Sequence, residues 1–129
     1  AEAGAGEVIV ASRSGTLGQA PGEPEKAARI QGRGTVLTPI SLDVTDEAAL
    51  ATFLSARGAG AARPLDGVIH GAAVIKDAFL SQLDQDTIRN VIRPKVAGAW
   101  ALQRGLEAAG IVPDFFLSMS SAAATLGSA

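Results

Sequence analysis

Three observations predict an α/β fold built on a doubly wound parallel sheet. Four short apolar runs, rich in branched residues, recur along the chain, and helical patterns separate one run from the next. Strands that alternate with helices read as βαβ units around a parallel sheet whose faces are covered. The third observation is compositional: 129 residues that are 47% hydrophobic and 19% charged make a globular chain rather than a disordered one.

The first run is Val8-Ile9-Val10-Ala11, preceded by Gly4 and Gly6, and it reads as a buried strand. Residues 1–5 read as the last turn of an earlier helix. Residues 15–23 form the first Gly- and Pro-rich connection. A short helix follows over Pro24–Gln31, with the proline in the first turn and Gly32 beyond the end. The second strand spans Thr35–Leu42, and Pro39 predicts a weak or kinked centre. Thr45 is placed to cap a helix over Asp46–Leu54, where Leu50, Phe53 and Leu54 share one buried stripe. A second Gly-, Ala- and Pro-rich connection covers residues 58–64. The third strand is Gly67–Ala72. A helix starting at Asp84 or Asp86 continues to Ala109, with Pro94 expected to kink or restart it. Phe115–Ser120 is the fourth strand.

Composition excludes several classes of chemistry. Eleven basic and thirteen acidic side chains leave a net charge of −2, which gives no basic face for nucleic acid. With no cysteine there are no disulfides, zinc-thiolate sites or thiol nucleophiles, and one histidine rules out a multi-histidine metal site. No run approaches the roughly 18 apolar residues of a membrane span, and no secretory signal pattern opens the chain. These features predict a cytoplasmic, metal-free domain with neither membrane nor nucleic acid as partner.

In open α/β sheets, ligands bind outside the carboxyl ends of the strands, and four segments fall there. Ser12-Arg13-Ser14-Gly15 follows the first strand; an arginine at such a place can grip the 2′-phosphate of an adenosine ribose, or simply face solvent. Asp43-Val44 follows the second, where Asp43 is placed for an adenine edge or for local capping. Gly71-Ala72-Ala73 follows the third; small residues there leave room for a cofactor or allow close packing of strand on helix. Ser120-Ser121 closes the fourth, giving a hydroxyl for a substrate carbonyl or for a turn. His70, flanked by apolar residues, reads as a packed core histidine. Lys95, beside Pro94, is a cation that a helix face can aim at the ligand edge. The G-x-S-x-G elbow of hydrolases is absent.

Taken in order, these segments resemble the ketoreductase domain of modular type I polyketide synthases, within the short-chain dehydrogenase/reductase superfamily. Val8–Gly15 is similar to that family's second strand with its cofactor-phosphate arginine. Leu42-Asp43-Val44-Thr45-Asp46 resembles its adenine-side motif. Gly67–Ala78, Arg93-Pro94-Lys95-Val96-Ala97-Gly98-Ala99-Trp100 and Phe116–Ser121 complete the likeness. The resemblance covers nearly the whole chain and implies a Rossmann-like fold and NADPH-dependent reduction of a β-ketoacyl thioester. That acyl chain would be carried on the phosphopantetheine of an acyl carrier protein, with the other synthase domains in cis. It further implies that Arg13 pairs with the 2′-phosphate, aided by Ser12 and Ser14, and that Asp43 and Val44 line the adenine. Gly71, Ala72 and Ala73 would approach the ribose and nicotinamide. Lys95 would be the catalytic lysine and Ser121 the serine that orients the ketone.

The likeness also implies what residues 1–129 do not contain. The family's first strand with its Gly-rich loop would precede Ala1, and its proton-donating tyrosine would fall about thirteen residues beyond Ser121. The sequence has no tyrosine. This stretch is therefore expected to be an internal part of a longer polypeptide, incomplete at both ends of the fold and inactive alone. Ile75-Lys76-Asp77 stands where many relatives carry Leu-Asp-Asp. Asp77 keeps the position that marks formation of the D-alcohol, and Leu126 stands where the opposite class has tryptophan. Two other readings stay open: a reductase-like domain kept as an inactive scaffold, and a free-standing short-chain reductase.

Overall fold

The structure, a computed structural model, describes residues 4–17, 21–58, 60–76 and 78–121. They divide between Asp43 and Val44 into two compact units. Each unit is a parallel strand pair joined by helix, as the alternation of runs predicts.

The first unit runs β1 (Glu7–Ser12), α1 (Glu23–Gln31) and β2 (Val36–Ser41). The strands pair in parallel from Glu7 opposite Val36 to Ser12 opposite Ser41. Residues 4 and 5 are not helical: Gly4 has φ 85°, and the Ala5 carbonyl accepts a 2.8 Å bond from the buried Thr35 hydroxyl. Pro39 does not interrupt β2, and the ladder shows why. Val36 N–H donates to the Gly6 carbonyl and Leu42 N–H to the Ser12 carbonyl, both at 2.9 Å. Donors alternate sides along a strand, so residue 39 points its missing N–H away from β1. A proline on that side removes no bond of this ladder.

The second unit runs α2 (Glu47–Ser55), β3 (Gly67–His70), a single 3₁₀ turn (Leu80–Gln82), α3 (Gln85–Ala108) and β4 (Phe115–Ser118). Strands β3 and β4 are parallel, with Gly67 opposite Phe115 and His70 opposite Ser118. The cap of α2 is Asp46 rather than Thr45: Asp46 Oδ1 accepts the Ala49 N–H at 3.0 Å. A carboxylate there also meets the positive end of the helix dipole. Asp46→Ala should therefore cost about 1 kcal/mol of stability, read as a lower denaturation midpoint at unchanged slope.

Leu50 and Leu54 are the largest fully buried side chains, at 2% and 1% exposure, and they pack against α3. Phe53 is only half-buried, with the Arg57 guanidinium 5.8 Å from its ring centroid. Helix α3 begins at the Asp84 cap and runs unbroken through Pro94 to Ala108, contrary to the expected restart. Proline removes the N–H that would reach the Asn90 carbonyl. Thr87, Gly98, Ala101 and Leu106 are buried on either side of that gap, so packing holds both halves in one helix. Strand β4 departs from the covered sheet expected: Phe115, Phe116 and Leu117 are 52%, 41% and 48% exposed among the described residues.

Candidate functional site

In the first unit the turn after β1 is built around Gly15. Its N–H donates to the Ser12 carbonyl at 3.2 Å and to Ser12 Oγ at 3.1 Å. Gly15 has φ 67°, and a Cβ there would lie 2.9 Å from both Ser41 Cβ and Ser41 N. Only glycine fits this turn against the end of β2. Ser41 Oγ–H in turn donates to the Arg13 carbonyl at 3.0 Å. The backbone of Arg13 is thus held by the last residue of β2, while its side chain stands exposed. Ser14 Oγ lies 3.3 Å from Ser12 Oγ and accepts the Thr16 hydroxyl at 3.0 Å. One exposed guanidinium flanked by two hydroxyls on a fixed turn is a donor set that fits a phosphate monoester. Half-buried Asp43 and Val44 follow β2 after Leu42, and the N-cap of α2 is Asp46.

In the second unit His70, the last residue of β3, is 5% exposed, as a core histidine should be. Its Nε2–H donates to the Lys95 carbonyl at 3.1 Å; a carbonyl only accepts, so the proton is on Nε2. The His70 carbonyl accepts the Met119 N–H at 2.9 Å, extending the pairing past Ser118. The structure therefore brings together the backbone of Lys95, the segment Gly71–Ala73 that leaves β3, and the segment that leaves β4 toward Ser121. Lys95 itself is half-buried, and Ser121 is exposed.

Gly71 follows β3 directly. A Cβ added there would meet nothing closer than Met119 Cγ at 3.8 Å, so no neighbour demands glycine. The small residue leaves open surface at the carboxyl end of β3 among the described residues. Gly98 is the opposite case: an added Cβ would lie 2.7 Å from Val44 Cγ1 and 3.2 Å from His70 Cε1. Sequence reading missed both the Gly98 nook and the bond from His70 to Lys95. The available signal was a glycine three residues after Lys95, on the same face of the helix.

Lys76, the residue that breaks the middle of the Leu-Asp-Asp position, reaches the start of α3. Its Nζ donates to Thr87 Oγ1 at 3.1 Å, and Asp84 Oδ1 accepts the Thr87 N–H at 2.6 Å. That backbone bond first, then the Thr87 hydroxyl and the Lys76 charge, hold the Asp84 carboxyl below its usual value. A lowered folded-state pKa stabilises above the unfolded value and is lost as pH falls through the folded one. The first turn of α3 should accordingly be fully capped above about pH 4 and weaken below it. Asp84→Asn, which keeps the cap but not the charge, should flatten that part of a helicity-versus-pH curve measured by circular dichroism. Asp77 and Leu126 lie outside the described residues.

Parallel strands joined by helices, with an exposed arginine turn after one strand and small residues after another, give the chain the Rossmann-like α/β architecture of short-chain dehydrogenase/reductase folds. The family model described as "KR domain" matches residues 1–129, and the chain belongs to that ketoreductase family of polyketide synthases. It is 34% identical over 125 residues to erythronolide synthase EryA2 of Saccharopolyspora erythraea, covering 97% of this chain and 3% of that protein. Against lovastatin diketide synthase lovF of Aspergillus terreus it is 40% identical over 100 residues, 78% of this chain and 4% of the relative. Among solved structures, the ketoreductase from the first module of phoslactomycin biosynthesis in Streptomyces sp. HK803 superposes with TM-score 0.78 at 27% identity. The match covers 96% of this chain and 28% of that one. A structure of A-type ketoreductases from a modular polyketide synthase gives TM-score 0.78 at 31% identity, covering 98% and 26%. The chain thus spans about a quarter of the solved ketoreductases and a few per cent of the synthases it matches.

No helix among the described residues is long and apolar enough to cross a membrane.

Proposed function

We propose that residues 1–129 form the central part of a synthase ketoreductase domain that reduces a β-ketoacyl thioester to the β-hydroxyacyl thioester with NADPH. The observation that carries this reading is the convergence in the second unit. His70 Nε2–H meets the Lys95 carbonyl at 3.1 Å, directly before the open surface at Gly71 and opposite the strand that leads to Ser121. A nicotinamide cofactor held there would supply the hydride for the ketone carbon. Arg13, Ser12 and Ser14 bind the 2′-phosphate, Asp43 and Val44 flank the adenine, and Gly71, Ala72 and Ala73 leave room for the ribose and nicotinamide. Ser121 donates a hydrogen bond to the ketone oxygen, where charge develops, and Lys95 would lower the pKa of the proton-donating tyrosine that the family resemblance implies. The substrate arrives on an acyl carrier protein of the same cytoplasmic assembly.

The two separate strand pairs agree with this reading. In the doubly wound order 3-2-1-4-5-6 the second strand pairs with the third and the fourth with the fifth. Strands β1 to β4 are then the second to fifth of the complete sheet.

NADPH oxidation by the intact synthase with a small β-ketoacyl thioester tests the activity. Arg13→Ala should raise KM for NADPH by about 10- to 100-fold, as loss of a charge-assisted phosphate contact does, while leaving KM for NADH nearly unchanged. An equal effect on both cofactors would remove Arg13 from the 2′-phosphate. Asp77 further assigns the product as the D-alcohol, and chiral analysis showing mainly the L-alcohol would reject that assignment.

A further inference from the structure

We propose that His70 is a positioning residue that fixes where α3 presents Lys95 at the carboxyl end of β3. The inference rests on the reading of Lys95 as catalytic and adds to it the group that places the lysine.

Pro94 deprives α3 of the bond to the Asn90 carbonyl, so the turn that carries Lys95 has one internal restraint fewer than the rest of the helix. The next residue is the one tied from outside, through the 3.1 Å bond from His70 Nε2–H to the Lys95 carbonyl. A helix carbonyl has a second lone pair free, so this bond adds to the helical one rather than replacing it. The other end of His70 is equally fixed. It ends β3 opposite Ser118, and its carbonyl accepts the Met119 N–H at 2.9 Å. One residue therefore links the helix bearing Lys95 to the strand leading into Gly71–Ala73 and to the strand leading toward Ser121.

Two further features favour this role over space-filling. His70 is 5% exposed, and a leucine or phenylalanine would fill that space without burying a polar ring that needs a partner. Gly98 makes room for the imidazole together with Val44: a Cβ there would stand 2.7 Å from Val44 Cγ1 and 3.2 Å from His70 Cε1. The bare Cα lets α3 approach the ring closely enough to be held by it.

The test compares His70→Phe, which keeps a ring but no donor, with His70→Gln, whose amide N–H replaces Nε2–H, in the intact synthase. His70→Phe should lower kcat by about 10- to 100-fold, the cost of a misplaced catalytic group, with KM for NADPH nearly unchanged. His70→Gln should keep kcat within about 3-fold of the parent. In a Lys95→Ala background His70→Phe should lower kcat little further, because its effect passes through the lysine. Equal kcat in folded His70→Phe and His70→Gln overturns the assignment, as does a full multiplicative loss in the Lys95→Ala background. If His70→Phe does not fold, a large kcat loss in folded His70→Gln overturns it alone. Retained turnover in Lys95→Ala would instead reject the catalytic reading of the lysine.

Discussion

Lys95→Ala in the intact synthase should lower kcat for ketoreduction by about 100- to 10,000-fold, the range typical of a positioned proton-transfer group. KM for NADPH should change far less, because the role proposed for the lysine is to lower the pKa of the proton-donating tyrosine rather than to hold the adenosine half of the cofactor. The half-buried position of Lys95 is part of that expectation, since charges act more strongly where solvent is partly excluded. Lys95→Arg keeps the charge but not the shape or reach of the ammonium, and should recover only part of the loss. Arg93→Ala, two residues earlier and exposed, is the control for general loss of positive charge on α3 and should leave turnover near the parent's. NADPH oxidation with a β-ketoacyl thioester reads all three. A Lys95→Ala protein that turns over normally would assign the lysine to the surface.

What the sequence disclosed follows from which interactions are local. The strands were legible because apolar runs at Val8–Ala11 and Gly67–Ala72 need no partner to be recognised, and α1 was legible from Pro24 and Gly32. Which segments follow the strands was legible too, because the carboxyl edge of such a sheet is a topological consequence of the strand order. Four features were not, three of them for a non-local reason. Pro39 sits harmlessly in β2 because of the side on which β1 pairs, and a lone strand does not state that side. Pro94 stays inside α3 because buried residues beyond it hold the helix together. Thr45 and Asp46 are both good capping residues, and one residue of register decides between them. The bond from His70 to Lys95 spans 25 positions and depends on Gly98, whose role appears only when β3 and α3 are packed.

The largest stability effect should come from Leu54, and its neighbour Gly105 decides how that effect can be repaired. Leu54→Ala removes a side chain that is 1% exposed and should cost about 2–5 kcal/mol. On the facing helix, a Cβ at Gly105 would lie 2.7 Å from Leu54 Cδ1 but 3.7 Å from Leu50 Cδ2 and Cγ. In the parent chain, Gly105→Ala therefore gains about 1 kcal/mol of helix propensity and loses about 1–3 kcal/mol to crowding, so it should be neutral to destabilising. In the Leu54→Ala background the crowding atom is gone, and the Leu50 distances are ordinary contacts. The same substitution should then stabilise, with a coupling of about 1–2 kcal/mol between the two sites. Residue 105 is ten positions from Lys95, about 15 Å along the helix, so the folded fraction of each variant should turn over at the parent's rate. Additive effects in the denaturation cycle would mean that α2 and α3 do not meet at Gly105. A loss of kcat without a loss of stability would mean that the α2 contact, as well as His70, governs the placement of Lys95.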